Sequence, residues 1–115
     1  MKGMRMDTLQ QLDDTLTRRK LENPSESYVA SLYQGGVNKI AQKVGEEATE
    51  VVIAAKDAAA DATLKPALVG EVADLWFHSL VLLNHLNLSA EDILSELQTR
   101  MGVSGHTEKA NRPSG

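Results

Sequence analysis

The sequence contains no cysteine among its 115 residues, which excludes disulfide bridges, thiolate zinc sites and cysteine nucleophiles. Aromatic residues make up only 3% of the chain, and the polar-apolar alternation of a half-buried strand is scarce. The N-terminal segment lacks the apolar centre of a secretory signal, and no apolar run looks long enough to cross a bilayer. These absences predict a cytoplasmic protein without a membrane segment, whose chemistry depends on carboxylates, histidines and basic side chains.

The net charge and the length of the chain restrict the expected partners and the expected number of domains. The formal net charge is −4 and no basic stripe offsets it, so binding to nucleic acid is not expected. A chain of 115 residues with 42% hydrophobic content suits one compact domain. We expect a single domain over residues 1–101, followed by a partly disordered tail over residues 102–115.

Alanine, leucine, glutamate and lysine recur at helical spacing, which predicts an all-α fold of about five helices. Asn23 is the predicted N-cap of the second helix, Pro66 belongs in the first turn of the fourth, and Ser89 caps the fifth. The predicted helices cover, in order, residues 7–19, a short segment from 24 that stops at Gly35–Gly36, residues 37–57, residues 66–86 and residues 90–101.

The third helix, "KIAQKVGEEATEVVIAAK", carries three acids that do not share one face. On a helical wheel Glu47 and Glu50 lie one turn apart on one flank, with Lys39 and Lys43 along the same flank. Glu46 falls close to the opposite side. A stripe of apolar residues beside Glu47 predicts the buried face: Val37, Ile40, Ala41, Val44, Ala48, Val51, Val52 and Ala55.

The fourth helix, "LVGEVADLWFHSLVLLNHL", is apolar almost all round, which predicts burial in a bundle or between subunits. It nevertheless carries Glu71 and Asp74, three residues apart, with His78 one turn further on the same face. Burying unpaired carboxylates is costly, so a helix that keeps them should be supplied with cations. We therefore predict a metal site formed by two acid pairs with the same spacing: Glu47, Glu50, Glu71 and Asp74.

Each of these groups also has a plainer interpretation. Acids on a long helix usually form a solvated face, and Lys39 and Lys43 could simply neutralise the acids beside them. His78 could be a hydrogen-bonded core histidine as readily as a residue that supports the metal ligands from behind, and Trp76 is expected in the core. The repetition of the acid spacing on two helices is what favours a site.

The ligand types indicate which metal would bind. Four carboxylates without cysteine suit a hard divalent cation, Mg²⁺ or as a substitute Mn²⁺. A di-iron bundle is the rival, but it normally offers Glu-x-x-His pairs, and His78 follows Asp74 by four residues instead. Magnesium with lysines nearby points to a polyphosphate substrate, because both neutralise phosphate charge.

Glu47-x-x-Glu50 followed by Glu71-x-x-Asp74 resembles the paired metal motif of the all-α, MazG-like nucleotide pyrophosphohydrolase superfamily. Within it, three segments are similar in order and spacing to the phosphoribosyl-ATP pyrophosphohydrolase family of histidine biosynthesis: "SYVASLYQGGVNKIAQKVGEEATEVVIAAK", "EVADLWFHSLVLL" and "ELQTRMGVSGHTEKA". The sequence departs from the family pattern at Phe77, where tyrosine is common, and at Met101, where histidine is expected.

The resemblance implies a helical bundle completed by homodimerisation, and Mg²⁺-dependent hydrolysis of phosphoribosyl-ATP to phosphoribosyl-AMP and pyrophosphate. Glu46 or Glu47 would orient or deprotonate the attacking water, and Lys39 and Lys43 would contact phosphates. The cluster of Arg18, Arg19 and Lys20 could reach the substrate from a neighbouring segment or subunit. Two alternatives stay open: a housekeeping nucleoside triphosphate pyrophosphatase on the same scaffold, and a non-catalytic helical interaction module.

Overall fold

The computed structural model describes the backbone of residues 2–102 and the side chains of residues 8–102. Over this part of the chain every regular element is a helix, which confirms the all-α prediction. Of the predicted tail over residues 102–115, the part from residue 103 onward, including His106, lies outside the described residues. The elements are α1 (Lys2–Arg19), α2 (Tyr28–Ala60), a short 3₁₀ helix (Ala62–Leu64), α3 (Lys65–His85) and α4 (Ala90–Met101).

The start of α2 is set by Ser27, so the prediction of Asn23 as its cap is wrong. The Ser27 hydroxyl accepts the backbone N–H of Ala30 at 3.2 Å, which satisfies a free donor of the first helical turn. Asn23 instead stabilises the preceding turn, where its Oδ1 accepts the backbone N–H of Ser25 at 3.0 Å. The segment offers several residues suited to capping, and the buried residues that follow Ser27 decide between them.

Gly36 introduces a kink into α2. Its backbone has φ 82° and ψ −176°, a conformation that glycine adopts without the clash of a Cβ atom. The break predicted at Gly35–Gly36 is therefore present, but as a kink within one helix and not as a loop. The described residues thus form four α-helices, the second of which has two segments.

The predicted beginnings of α3 and α4 are confirmed. Pro66 lies in the first turn of α3, where its missing N–H would have no helical partner in any case. Ser89 caps α4 in a reciprocal arrangement with Asp92, whose carboxylate accepts the backbone N–H of Ser89 at 2.8 Å. The helix ends at Met101, as the sequence indicated.

The core lies where α1, α2 and α3 meet. Its largest fully buried side chains are Leu16 from α1, Leu32 and Ile40 from α2, and Val81 from α3. Leu32 and Ile40 lie on either side of the kink in α2, so the hydrophobic core holds the first half of α2 against α1 and α3. The second half of α2 packs mainly along α3, which is the most extensive helix pair in the structure.

A buried carboxylate joins three helices at the far end of α3. Asp13 of α1 is 7% exposed and accepts hydrogen bonds from the Asn84 side-chain amide at 2.5 Å and from the Ala90 backbone N–H at 2.6 Å. Because Ala90 begins α4, the negative charge of Asp13 lies at the positive end of that helix. The network fixes α4 relative to α1 and α3.

The predicted buried face of α2 is only partly buried in one chain. Ile40 is fully buried, but Val37 is 42% and Val52 is 56% exposed. Trp76 on α3, expected in the core, is 57% exposed. The other helices of residues 2–102 are too few and too short to surround a helix of 33 residues, so part of the apolar surface of α2 and α3 is left uncovered. The exposed members of the predicted stripe also include Ala41, Ala48 and Ala55.

One expectation about apolar length needs correction. By length and composition alone, the segment Ala62–His85 is apolar enough to cross a membrane, contrary to the prediction that no such run exists. Core helices of water-soluble proteins pass the same test, so this property is weak evidence for a membrane span. In the structure α3 packs along α2 and carries a cluster of ionisable groups on the facing side.

Candidate metal and active site

Two neighbouring helices bring the predicted acid pairs together. The short connection between α2 and α3 makes them antiparallel neighbours, so Glu47 faces Asp74 and Glu50 faces Glu71. Oxygen atoms of Glu47, Glu71 and Asp74 all lie within 4.8 Å of one another. The identical three-residue spacing places each pair on one helix face, and the packing of α2 on α3 makes the two faces meet.

Glu50 belongs to the same group, because it interacts with Glu47 and with Glu71. Burial, and then the neighbouring carboxyl group of Glu50, raise the pKa of Glu47 above its usual value. Interaction with Glu50, and then burial, raise the pKa of Glu71 in the same direction. The same two causes act on both groups, since burial and a second carboxylate nearby each disfavour the charged form of a carboxyl group.

The cluster contains oxygen atoms without partners. Glu47 is only 8% exposed, and among the described residues its Oε2 atom and that of Glu71 are buried without a hydrogen bond. Buried polar atoms of this kind are rare unless an ion, water or ligand satisfies them. The donors are all carboxylate oxygens, which hard divalent cations prefer. The residues therefore fit a Mg²⁺ or Mn²⁺ ion.

His78 lies behind the cluster and is held on both sides of its ring. Its Nδ1 atom lies 3.0 Å from the backbone carbonyl oxygen of Asp74, which can only accept, so Nδ1 carries the proton. In the neutral ring Nε2 then accepts from the phenol of Tyr28, at 2.8 Å. Nδ1 also lies 3.6 Å from Oε1 of Glu47. Tyr28 and the Asp74 carbonyl thus fix the orientation of the His78 ring beside the buried carboxylate of Glu47.

Glu46 lies apart from the cluster, on the side that the helical wheel indicates. Its side chain is 47% exposed and lies 3.5 Å from Nζ of Lys43, and it also accepts a hydrogen bond from Gln42 at 3.1 Å. The nearby Tyr28, and then Glu46, raise the pKa of Lys43, which therefore keeps its charge at neutral pH. Lys39 is exposed one turn before Lys43. Lys43 thus lies on the Tyr28 side of the cluster.

The basic residues at the end of α1 do not meet the cluster within one chain. Lys20 donates to the backbone carbonyl of Asn84 at 2.7 Å, and Asn84 lies about 15 Å along α3 from Asp74 at 1.5 Å per residue. Arg18 donates to Thr15 at 3.2 Å, and Arg19 lies 3.2 Å from Glu22. Within one chain these three side chains therefore make their contacts away from the carboxylate cluster.

Comparison with known proteins agrees with this geometry. Residues 9–101 match the sequence profile described as phosphoribosyl-ATP pyrophosphohydrolase, which covers every described carboxylate of the cluster. The chain belongs to this family. It is also 61% identical, over 109 residues, to a curated phosphoribosyl-ATP pyrophosphatase of Hydrogenovibrio crunogenus, covering 95% of this chain and 96% of that protein. The resemblance stated from the sequence motifs is thereby confirmed.

Sequence reasoning did not identify Tyr28 as part of this family member's site. A tyrosine at the first position of a helix carries no local signal for hydrogen bonding to a histidine 50 residues later. The Asp13 and Asn84 pair was missed for the same reason, since its residues are 71 positions apart. Only the presence of a polar residue within an otherwise apolar run, as with Asn84 in "VLLNHL", could have drawn attention to it.

We expect Tyr28→Phe to lower turnover and to weaken activation by divalent metal, each by about 10-fold, because His78 loses the hydrogen bond that orients it against Glu47. Turnover measured over a range of metal concentrations gives both the loss of turnover and the loss of metal activation. Thermal unfolding shows whether the fold is kept. Tyr33→Phe is the matched control, since the Tyr33 hydroxyl is buried without a hydrogen-bond partner among the described residues. Equal losses in both variants would remove the role assigned to Tyr28.

A second prediction concerns the metal-free protein. The raised pKa values of Glu47 and Glu71 mean that the folded state holds protons more tightly than the unfolded state. The free energy of unfolding should therefore fall as pH rises from the unfolded carboxyl range through these raised values. We expect Glu71→Gln to reduce this fall and to keep or raise the unfolding temperature at neutral pH, because one mutually repelling charge is gone.

Thermal unfolding in excess chelator, at mildly acidic and at neutral pH, measures this effect. Glu46→Gln is the control, because Glu46 is exposed and lies outside the cluster. A lower unfolding temperature for Glu71→Gln than for Glu46→Gln at neutral pH would instead show that Glu71 stabilises the fold.

Proposed function

We infer that this chain hydrolyses phosphoribosyl-ATP to phosphoribosyl-AMP and pyrophosphate, a step of histidine biosynthesis in the cytoplasm. The family match over residues 9–101 and the similarity to a curated phosphoribosyl-ATP pyrophosphatase support the substrate. The observation that carries the chemistry is the meeting of Glu47, Glu71 and Asp74 within 4.8 Å on two facing helices.

Mg²⁺ is the proposed cofactor, with Mn²⁺ as a substitute, held by the cluster of four carboxylates. The support for this proposal is the all-oxygen donor set and the two buried, unpartnered oxygens of Glu47 and Glu71. When bound, the ion neutralises phosphate charge and polarises the bond that breaks. The chain's own residues supply what remains: the position of the water, the orientation of the carboxylates and the charge around the phosphates.

Glu47 is the carboxylate that we propose to orient or deprotonate the attacking water, because it is buried in the cluster and lies next to His78. Glu46 is the other catalytic candidate, and its exposed position limits it to a contribution through water or through Lys43. Lys43 and Lys39 would contact the phosphates from the edge of the cluster. Lys20, Arg18 and Arg19 would reach the substrate from a neighbouring segment or from a partner subunit.

A homodimer is the proposed assembly. Large apolar side chains are uncovered along α2, α3 and α4, and an apolar groove of about 260 Å³ runs between α3 and α4 beside Trp76, Ile93 and Leu97. Contiguous apolar surface of this kind marks an interface.

Sedimentation should show a dimer that Trp76→Glu weakens. Leu21→Glu is the control, since Leu21 is 93% exposed outside the helices, and a monomeric wild type would contradict the proposal.

Turnover measurements test the function directly. Phosphoribosyl-ATP should be hydrolysed with a higher kcat/KM than any ordinary nucleoside triphosphate in a matched panel, and pyrophosphate should be released. Equal turnover of the panel would indicate a housekeeping triphosphate pyrophosphatase. Absence of metal-dependent hydrolysis with every substrate would indicate a non-catalytic helical module.

A further inference from the structure

A cleft continues from the carboxylate cluster toward the end of α2. Its volume is about 240 Å³, and it lies between the second half of α2 and the start of α3. Glu50 and Glu71 form the end nearest the cluster, and Asp57 forms part of the other end. The walls between these ends are apolar, and include Ile53, Leu64 and Ala67.

Asp57 has no evident structural role. Among the described residues, no hydrogen bond or ion pair to its carboxylate is present, and only its backbone oxygen accepts a bond, from Asp61 at 2.9 Å. It lies one turn from the end of α2, whose last turn has no basic residue. An acid there is opposed by the negative end of the helix dipole. An exposed, unpaired acid in an unfavourable position at the rim of a cleft is a suitable group for binding a cation.

The cleft is unsuited to a free phosphate, because its lining contains three carboxylates and no basic residue. It suits a flat group that is apolar on its faces and positively charged or rich in N–H donors at its edge. Asp57 is seven residues after Glu50, about 10.5 Å along the helix. That separation is comparable with the distance between the phosphate next to the ribose of a nucleotide and the far edge of its base.

The substrate of the proposed function contains such a group. In phosphoribosyl-ATP the second ribose is attached to N1 of the adenine ring, and alkylation at N1 makes the ring a much stronger base than unmodified adenine. The ring therefore carries a delocalised positive charge near neutral pH, whereas the adenine of ATP is neutral. Carboxylates at the cleft would distinguish the two, since a charge-assisted hydrogen bond is stronger than a neutral one.

We propose that this cleft binds the N1-alkylated adenine ring, between Ile53, Leu64 and Ala67, and that Asp57 is the specificity-determining residue that pairs with its positive charge. The proposal rests on the proposed function, and extends it by assigning the base-recognition site and the origin of the preference for phosphoribosyl-ATP over ATP. Glu50 would serve both sites, because it lines the cleft and belongs to the carboxylate cluster.

Binding of phosphoribosyl-AMP and of AMP, measured by calorimetry with Mg²⁺ present, tests the charge recognition without turnover. Asp57→Asn should weaken phosphoribosyl-AMP binding by about 10-fold or more and change AMP binding little, because only the alkylated ring is cationic. Asp57→Glu should recover part of the loss. Asp14→Asn is the matched control, since Asp14 is an exposed helical aspartate on α1.

Two results would overturn the assignment of Asp57. Equal weakening of both ligands would mean that Asp57 contacts a ribose hydroxyl shared by them, and a loss no larger than that of Asp14→Asn would mean that it contacts neither. Ala67→Leu, which reduces the cleft, should weaken both ligands, and unchanged binding of both would place the base elsewhere. If the wild type does not hydrolyse phosphoribosyl-ATP at all, the proposed function itself fails, whatever the behaviour of Asp57→Asn.

Discussion

Removal of divalent metal should abolish pyrophosphate release from phosphoribosyl-ATP, with a loss of more than about 100-fold, and added Mg²⁺ should restore it. The reason is electrostatic. Glu47, Glu50, Glu71 and Asp74 form a concentrated negative charge, and without a cation these carboxylates would repel a polyphosphate substrate and one another. Pyrophosphate release in the presence of chelator, and after Mg²⁺ or Mn²⁺ is added back, measures the effect.

The control for this experiment is the fold of the metal-free protein. The core formed by Leu16, Leu32, Ile40 and Val81 lies apart from the carboxylate cluster, so circular dichroism should show the same helix content with and without chelator. Undiminished hydrolysis in excess chelator would refute the metal proposal. Loss of helix together with activity would show that the ion is needed for folding and would leave its catalytic role without support.

The second large effect separates two adjacent glutamates. Glu47→Gln should weaken Mg²⁺ activation and lower turnover by more than about 100-fold, since it removes one oxygen of the proposed metal ligand, which is buried next to His78. Glu46→Gln should cost no more than about 10-fold to 100-fold, the range typical of residues that act through a neighbour. Glu46 contacts Lys43 and Gln42, and its side chain is 47% exposed.

The Mg²⁺ concentration dependence of turnover for the two variants is the decisive measurement. Each variant is the matched control for the other, because both substitutions remove one negative charge from the same turn of α2. A larger loss of metal affinity in Glu46→Gln would show that the substrate-bound protein rearranges α2 so that Glu46 enters the cluster. Equal losses would show that both carboxylates bind the ion.

Much of the fold could be predicted because the deciding interactions are local. The helix boundaries at Pro66, Ser89 and Met101 follow from capping and backbone rules that involve residues only a few positions apart. The same holds for the separation of Glu46 from Glu47, since 100° per residue places them on different faces of any regular helix. The acid spacing on two helices, together with the family motif, located the cluster.

The sequence by itself therefore determined the helical class, most helix ends, the family and the four carboxylates, because each depends on periodicity or on a short motif. Tertiary structure alone decided which apolar residues are buried, since Val52 and Trp76 have the pattern of core residues but none of the described helices covers them. It also decided the contact of Tyr28 with His78 and the position of Asp57 at the rim of a cleft. Such contacts join residues far apart in the chain, and their distances follow from how whole helices pack.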